Sequence, residues 1–258
     1  MKTPPVPELV ALALSLVVPE TPLPDEGTCR AAFIALRFPA GLRCVVCGSS
    51  EVSVAGRGWR CRRCKRLSSV TNGTMMHGTK VQLRYWLAAI YHLTLTPKGI
   101  AALRFQRTYG FKSFGTVWRL LHRVRALIPP GSYSRFRLHT AAASSADAAR
   151  VLGRRHREKN AASVLLRAGH HSLAVAVVRG ADDAEELLER PVDRRVARTI
   201  IESLHTWIAG VFHGVSAKWF PRYVLEFVAR WGDRQALLEG VLRAALARPP
   251  ERRPAASV

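Results

Sequence analysis

Cys44-Val45-Val46-Cys47 and Cys61-Arg62-Arg63-Cys64 are two C-x-x-C pairs separated by 13 residues, and they constrain this chain more than any other feature. Each pair forms a knuckle that turns two sulfurs the same way. Two knuckles at the ends of a hairpin bring four thiolates to one point. That is the tetrahedral set of a structural zinc site, with no open position for catalysis. Gly48 follows the first knuckle, where the backbone can require a positive φ. Gly56 and Gly58 suit a turn between two strands, Glu51 to Val54 and Trp59 to Arg60. The competing readings are four unrelated buried thiols or a redox pair, and the matched spacing favours zinc. Cys29 stands outside the pattern and reads as an inert buried thiol.

The charge is concentrated around these knuckles. The 258 residues carry a net +22, from 40 Lys and Arg against 18 Asp and Glu. Residues 41 to 135 hold 17 of the bases and one acid, Glu51, whereas residues 136 to 258 hold 20 bases and 13 acids. A block so one-sided repels itself unless an anion offsets it, which points to nucleic acid first and an acidic membrane surface second. A solvated basic face without a partner is the bland alternative. Arg60, Arg62, Arg63, Lys65 and Arg66 surround the second knuckle; thiolate charge attracts such cations, and five of them also make a phosphate-binding surface. The apolar run Leu9 to Val18 is too short to span a bilayer and reads as a packed helix. With no export signal ahead of it, a cytoplasmic, nucleoid-associated location is expected.

Helical spacing of apolar residues begins near Lys80, through Leu83, Trp86, Leu87, Ile90, Tyr91 and Leu93, and stops at Pro97. A second helical pattern covers Lys98 to about Arg107, a turn holds Tyr109-Gly110-Phe111, and a third helix runs from Ser113 to Ile128. Helix, short glycine turn and helix is the form of a helix-turn-helix, with Ser113 able to cap the second helix. Ile100, Ala101, Leu103, Val117, Leu120, Leu121 and Val124 would face inward, and Lys112, Thr116, Arg119, Arg123 and Arg125 outward. A recognition helix presents its first residues to base edges, so Thr116 and Arg119 are the base-contact candidates, with Arg104 and Arg107 near phosphates. An ordinary helical pair with a basic exterior is the alternative.

Residues 25 to 128 resemble the N-terminal half of the zinc-ribbon insertion-sequence transposases of the ISXO-like group. The resemblance rests on Asp25-Glu26 with Cys29, Arg37-Phe38-Pro39 with Gly41, both knuckles, and Ser69-Val70-Thr71-Asn72-Gly73-Thr74-Met75-Met76-His77-Gly78-Thr79-Lys80. It continues through Leu83-Arg84-Tyr85-Trp86, Lys98-Gly99-Ile100, Thr116-Val117-Trp118-Arg119 and Leu121-His122. Glu202-Ser203-Leu204-His205 through Gly210, Phe212-His213-Gly214-Val215-Ser216, Lys218-Trp219, Arg222-Tyr223 and Glu226-Phe227 resemble the end of the same group's catalytic domain.

The resemblance implies an RNase H-like nuclease between these matches, using carboxylates to hold two Mg²⁺ ions. The first-strand acid is missing: the equivalent stretch is Phe136-Arg137-Leu138-His139-Thr140. The strand for the second acid is absent, and Ala197 and Thr199 stand at the His and Asn positions of the closing motif, leaving Glu202 as the surviving acid. Asp182, Asp183, Glu185 and Glu186 read as an exposed helix start.

The expected architecture is α+β. It comprises an N-terminal helical segment (1–40), a zinc ribbon (41–79) and a helix-turn-helix unit (80–131). A linker (132–162), a degenerate RNase H-like remnant with C-terminal helices (163–248) and a disordered tail (249–258) follow. Within the remnant, Ser163 to Leu166 and Leu173 to Val178 read as strands around Gly169-His170-His171. Asp182 to Glu189, Thr199 to Ile208, Pro221 to Trp231 and Gln235 to Ala247 read as helices. The expected function is a transposase-derived protein that binds double-stranded DNA without cutting it, with structural Zn²⁺ as cofactor and a homodimer or a related transposase as possible partner. The rivals are an active transposase using Mg²⁺, and a zinc-ribbon module that binds protein or RNA.

Overall fold

The structure, a computed structural model, describes residues 23–128, 167–169, 172–174, 194–215, 219–230 and 233–247. The helices expected at 9–18 and 182–189, the linker, the strand at 163–166, the stretch 136–140 and the tail lie outside the described residues. The chain forms two compact units: residues 1–91 with 239–258, and residues 92–238.

In the first unit, α1 (Glu26–Arg37) starts where Asp25 accepts hydrogen bonds from the Gly27 and Thr28 amides at 2.7 and 3.0 Å. It buries Cys29, Ala32 and Phe33. A three-stranded antiparallel sheet follows, β1 (Val52–Ala55), β2 (Gly58–Cys61) and β3 (Leu67–Ser68), in that order. Val54 pairs with Trp59, and Trp59 with Ser68. Gly56 makes the hairpin turn at φ 57°, as its sequence position suggests. Gly58 serves another purpose: a Cβ there would sit 2.1 Å from the Ser68 carbonyl oxygen, so its bare backbone admits β3. Trp59 is buried, donates from Nε1 to the Arg43 carbonyl at 2.9 Å and meets Phe38 edge-on.

The segment 69–80 is a folded loop. The Arg37 guanidinium donates to the Val70 and Asn72 carbonyls, both at 2.7 Å, while Val70, Thr74, Met75 and Met76 are buried. The amide of Met75 donates to the Ala245 carbonyl at 3.3 Å. Helix α2 (Leu83–Thr94) begins three residues later than the apolar spacing suggests, because the Glu26 carboxylate accepts from the Leu83 and Arg84 amides and fixes its start. Its buried Leu83, Trp86, Leu87 and Ile90 are the residues whose spacing announces the helix.

The second unit holds α3 (Ala102–Tyr109), α4 (Phe114–Arg125), α5 (Arg194–Phe212), α6 (Phe220–Ala229) and the start of α7 (Arg234–Ala247). Two short strands, β4 (Arg167–Gly169) and β5 (Ser172–Ala174), pair antiparallel. Helix α3 starts four residues after the expected Lys98. Gly99 takes φ 69°, and Arg230 donates to the Thr96 carbonyl, holding residues 96–101 as a loop. Gly110 ends α3 in the left-handed region at φ 68°, and Ser113 Oγ accepts from the Thr116 amide at 3.3 Å to cap α4.

The inner face of this pair differs from expectation at two places. Leu103, expected inside, is exposed, and its inward place is taken by Phe105. Arg125, expected outside, is 2% exposed. Its Nε donates to Glu226 Oε2 at 2.6 Å, and Glu226 Oε1 accepts from Arg230 Nε at 3.3 Å. Glu226 is fully buried, so one carboxylate joins two guanidiniums out of water. Arg125 also lies over the Tyr223 ring at 4.3 Å, and Arg230 reaches the His92 carbonyl at 3.0 Å. Arg222 donates to the His122 carbonyl at 3.0 Å near the C-terminal end of α4, where a cation is favoured.

Two histidines of this unit are held neutral. Burial, with Arg125 and Arg222 nearby, pushes His122 down to about 3, and burial, with Arg104 and Arg230, pushes His92 down to about 4. Both folded values lie below the unfolded value near 6.5, so the unfolded chain binds more protons and stability falls as pH drops below it. The loss should be about 2 kcal/mol per histidine by pH 5. The protection factors of amides in α4, exchange corrected for its intrinsic pH dependence, should fall between pH 7 and 5, and His122→Gln should flatten that slope. A slope unchanged by the substitution would refute the assignment.

Candidate metal centre and nucleic-acid interface

The knuckles bring the four cysteines together. The ligand atoms of Cys44, Cys47, Cys61 and Cys64 lie within 4.8 Å of one another, and the Cys44–Cys64 and Cys47–Cys61 sulfurs are 3.5 and 3.6 Å apart. Zn–S bonds of about 2.3 Å in a tetrahedron set sulfur edges of about 3.8 Å, so the donor set fits zinc. Among the described residues this is the only such group of three or more potential metal ligands.

Local backbone prepares the thiolates. The amides of Cys47 and Val46 hold the Cys44 thiol down at about 6, and the Cys64 amide lowers Cys61. The Arg66 amide acts the same way on Cys64, but desolvation and the neighbouring Cys44, Cys47 and Cys61 sulfurs prevail and push it up to about 12. Four thiolates at this spacing repel one another, and a divalent cation relieves that repulsion. Gly48 takes φ 72° after the first knuckle, as its position suggests. Lys65 takes φ 60° after the second, an uncommon conformation for a residue with a side chain. Cys29 is separate from the centre and buried; desolvation, with Glu26 and Asp25 adding to it, raises its thiol to about 11, the mark of an unreactive group.

The ribbon's cations are all on the surface. Arg60, Arg62, Arg63, Lys65 and Arg66 are exposed, and Arg60 donates to the Lys65 carbonyl at 3.3 Å. Val54 and Leu67 are exposed beside them. In the second unit Arg104, Arg107, Lys112 and Arg119 are exposed and Thr116 and Arg123 half-buried. Among the described residues none of these ten cations forms an ion pair. Phe114, on the first turn of α4 beside Thr116, is 48% exposed. Sequence reasoning passed over it because an aromatic on a helical stripe reads as core. Of the outward set only Arg125 leaves the surface, drawn inward by Glu226.

Glu202 is exposed on α5. Asp182, Asp183, Glu185 and Glu186 lie outside the described residues. No described helix is long and apolar enough to cross a membrane. No curated protein and no solved structure gives a significant match to the chain. Residues 24–67, which carry α1 and all four cysteines, match the family model of the transposase zinc-ribbon domain, and the four cysteines have the geometry of its structural metal site.

Proposed function

We propose that this chain is a transposase-derived protein that binds double-stranded DNA through its zinc ribbon and the α3–α4 pair, and that it does not cut DNA. The observation that carries the reading is a transposase-type ribbon whose second knuckle presents five exposed cations, none in an ion pair among the described residues. Unpaired surface cations release counterions on meeting phosphates, which is the main source of nonspecific DNA affinity. The α3–α4 pair has the composition of a helix-turn-helix, with Thr116, Arg119 and the exposed Phe114 at the leading end of α4. Arginine reads guanine edges, and an aromatic ring can meet a thymine methyl. The ISXO-like subgroup, the RNase H-like remnant and assembly as a homodimer or with a related transposase belong to the same reading.

The inactivity rests on ligand chemistry. Two-metal phosphoryl transfer needs carboxylates on both ions, and the stretch that resembles the first strand offers Leu138 and His139. Imidazole is a poor ligand for a hard cation such as Mg²⁺. Duplex affinity should fall by orders of magnitude between about 50 and 200 mM salt, as expected for ~6–8 phosphate contacts. Arg63→Ala should weaken all sequences alike, and Arg119→Ala should relax sequence preference by about 1–3 kcal/mol at one base pair. No nicking should appear with Mg²⁺ or Mn²⁺. Salt-independent binding would remove the DNA reading, and metal-dependent nicking lost in Glu202→Ala would restore an active transposase.

A further inference from the structure

The second unit contains a cleft of about 480 Å³ between α3, with the loop before it, and the C-terminal end of α5. Lys98, Arg104 and Arg107 line it together with Thr108, and no acid is among its lining residues. Leu103 and Val211 supply apolar surface. Leu103, 47% exposed, contributes its side chain to this cleft and not to the core.

The walls are fixed in advance. Trp207 Nε1 on α5 donates to the Lys98 carbonyl at 2.9 Å, tying the loop to the helix that faces it. Gly99 at φ 69° lies against the Arg230–Glu226 pair, where a Cβ would come within 2.8 Å of either side chain. At the rim, α5 ends in His213 at φ 55° and Gly214 at φ 115°, two successive residues in left-handed backbone.

Its size is that of a small-ligand pocket, about 300–1,000 Å³. A duplex backbone is convex and rests on cations without entering such a recess. One nucleotide can enter, with Arg104, Arg107 and the Thr108 hydroxyl on hand for its phosphate and Leu103 and Val211 for its base. We propose that this cleft holds a single nucleotide unit at the end of a DNA strand, sharing Arg104 and Arg107 with the duplex-binding α3–α4 pair and adding a recess that the duplex itself does not enter. The inference rests on the DNA-binding reading given above.

The test compares a blunt duplex with the same duplex carrying a three-nucleotide 5′-phosphorylated overhang. The full zinc-loaded chain should prefer the overhang by roughly tenfold, the effect of one well-held base. Val211→Trp fills the cleft, and Leu103→Glu places an anion at an exposed position in it. Both should abolish the preference; Val211→Trp, outside the α3–α4 pair, should leave blunt-duplex affinity within about twofold, whereas Leu103→Glu, on α3, should weaken both DNAs alike. Equal affinity for the two DNAs in the parent protein overturns the inference, as does a preference that survives both substitutions. Competition by a free deoxynucleoside monophosphate without any overhang preference overturns the strand-end assignment. Loss of blunt-duplex binding altogether overturns the DNA reading itself and is distinct from these outcomes.

Discussion

Removing the metal should unfold the ribbon outright. The sheet has strands of four, four and two residues, far too little to persist unaided in water. Structural zinc contributes an apparent ~10–16 kcal/mol in small domains of this kind, more than such a sheet can replace. Cys61→Ser should therefore lose the single zinc per chain and leave Val52 to Ser68 without protection from amide exchange. Elemental analysis and exchange on the same sample decide it. Full zinc content in the variant, or an unaltered exchange pattern after chelation, would refute the four-cysteine assignment. Cys29→Ser should leave the zinc content unchanged, because Cys29 lies outside the ligand set.

Glu226→Ala is the second large effect. The carboxylate is fully buried and accepts from Arg125 at 2.6 Å and Arg230 at 3.3 Å, so its loss strands two guanidiniums away from water. Breaking a buried pair by removing one partner costs about 3–5 kcal/mol, which should lower the denaturation midpoint sharply. Replacing the whole set, Arg125→Met with Glu226→Leu and Arg230→Met, should recover part of the loss, since the charges are then removed together. Arg230 also caps carbonyls at the end of α2, so recovery should be incomplete. Unchanged stability in Glu226→Ala, measured by denaturant titration, would refute the role given to this cluster.

The ribbon was legible because its information is local. Cysteine spacing, Gly48 and the Gly56 turn all act within twenty-five residues, and each appears where the spacing places it. β3 was not legible: two residues, one of them the exposed Leu67, show no alternation. Lys65 was opaque for a different reason, since nothing in its side chain announces a positive φ. Helix starts were misplaced where the deciding group is distant, Glu26 for α2 and Arg230 for α3. Arg125 is the most instructive case. It lies four residues beyond buried Leu121, so its spacing marked an inward position, but its chemistry argued for the surface. The partner that reconciles the two is 101 residues away. The cleft was invisible for the same reason, being made by residues near 98–108 and 210–213.

Arg125 fastens the far end of α4 to a helix from the last quarter of the chain, and Arg222 and Tyr223 of that helix hold His122 one turn earlier. Helix α6 is therefore a brace for the helix pair. The brace turns on Glu226, the carboxylate that joins Arg125 to α6. A gene cut short after residue 131 would not release a portable α3–α4 module; it would leave an arginine and a histidine facing solvent on what had been an interior seam.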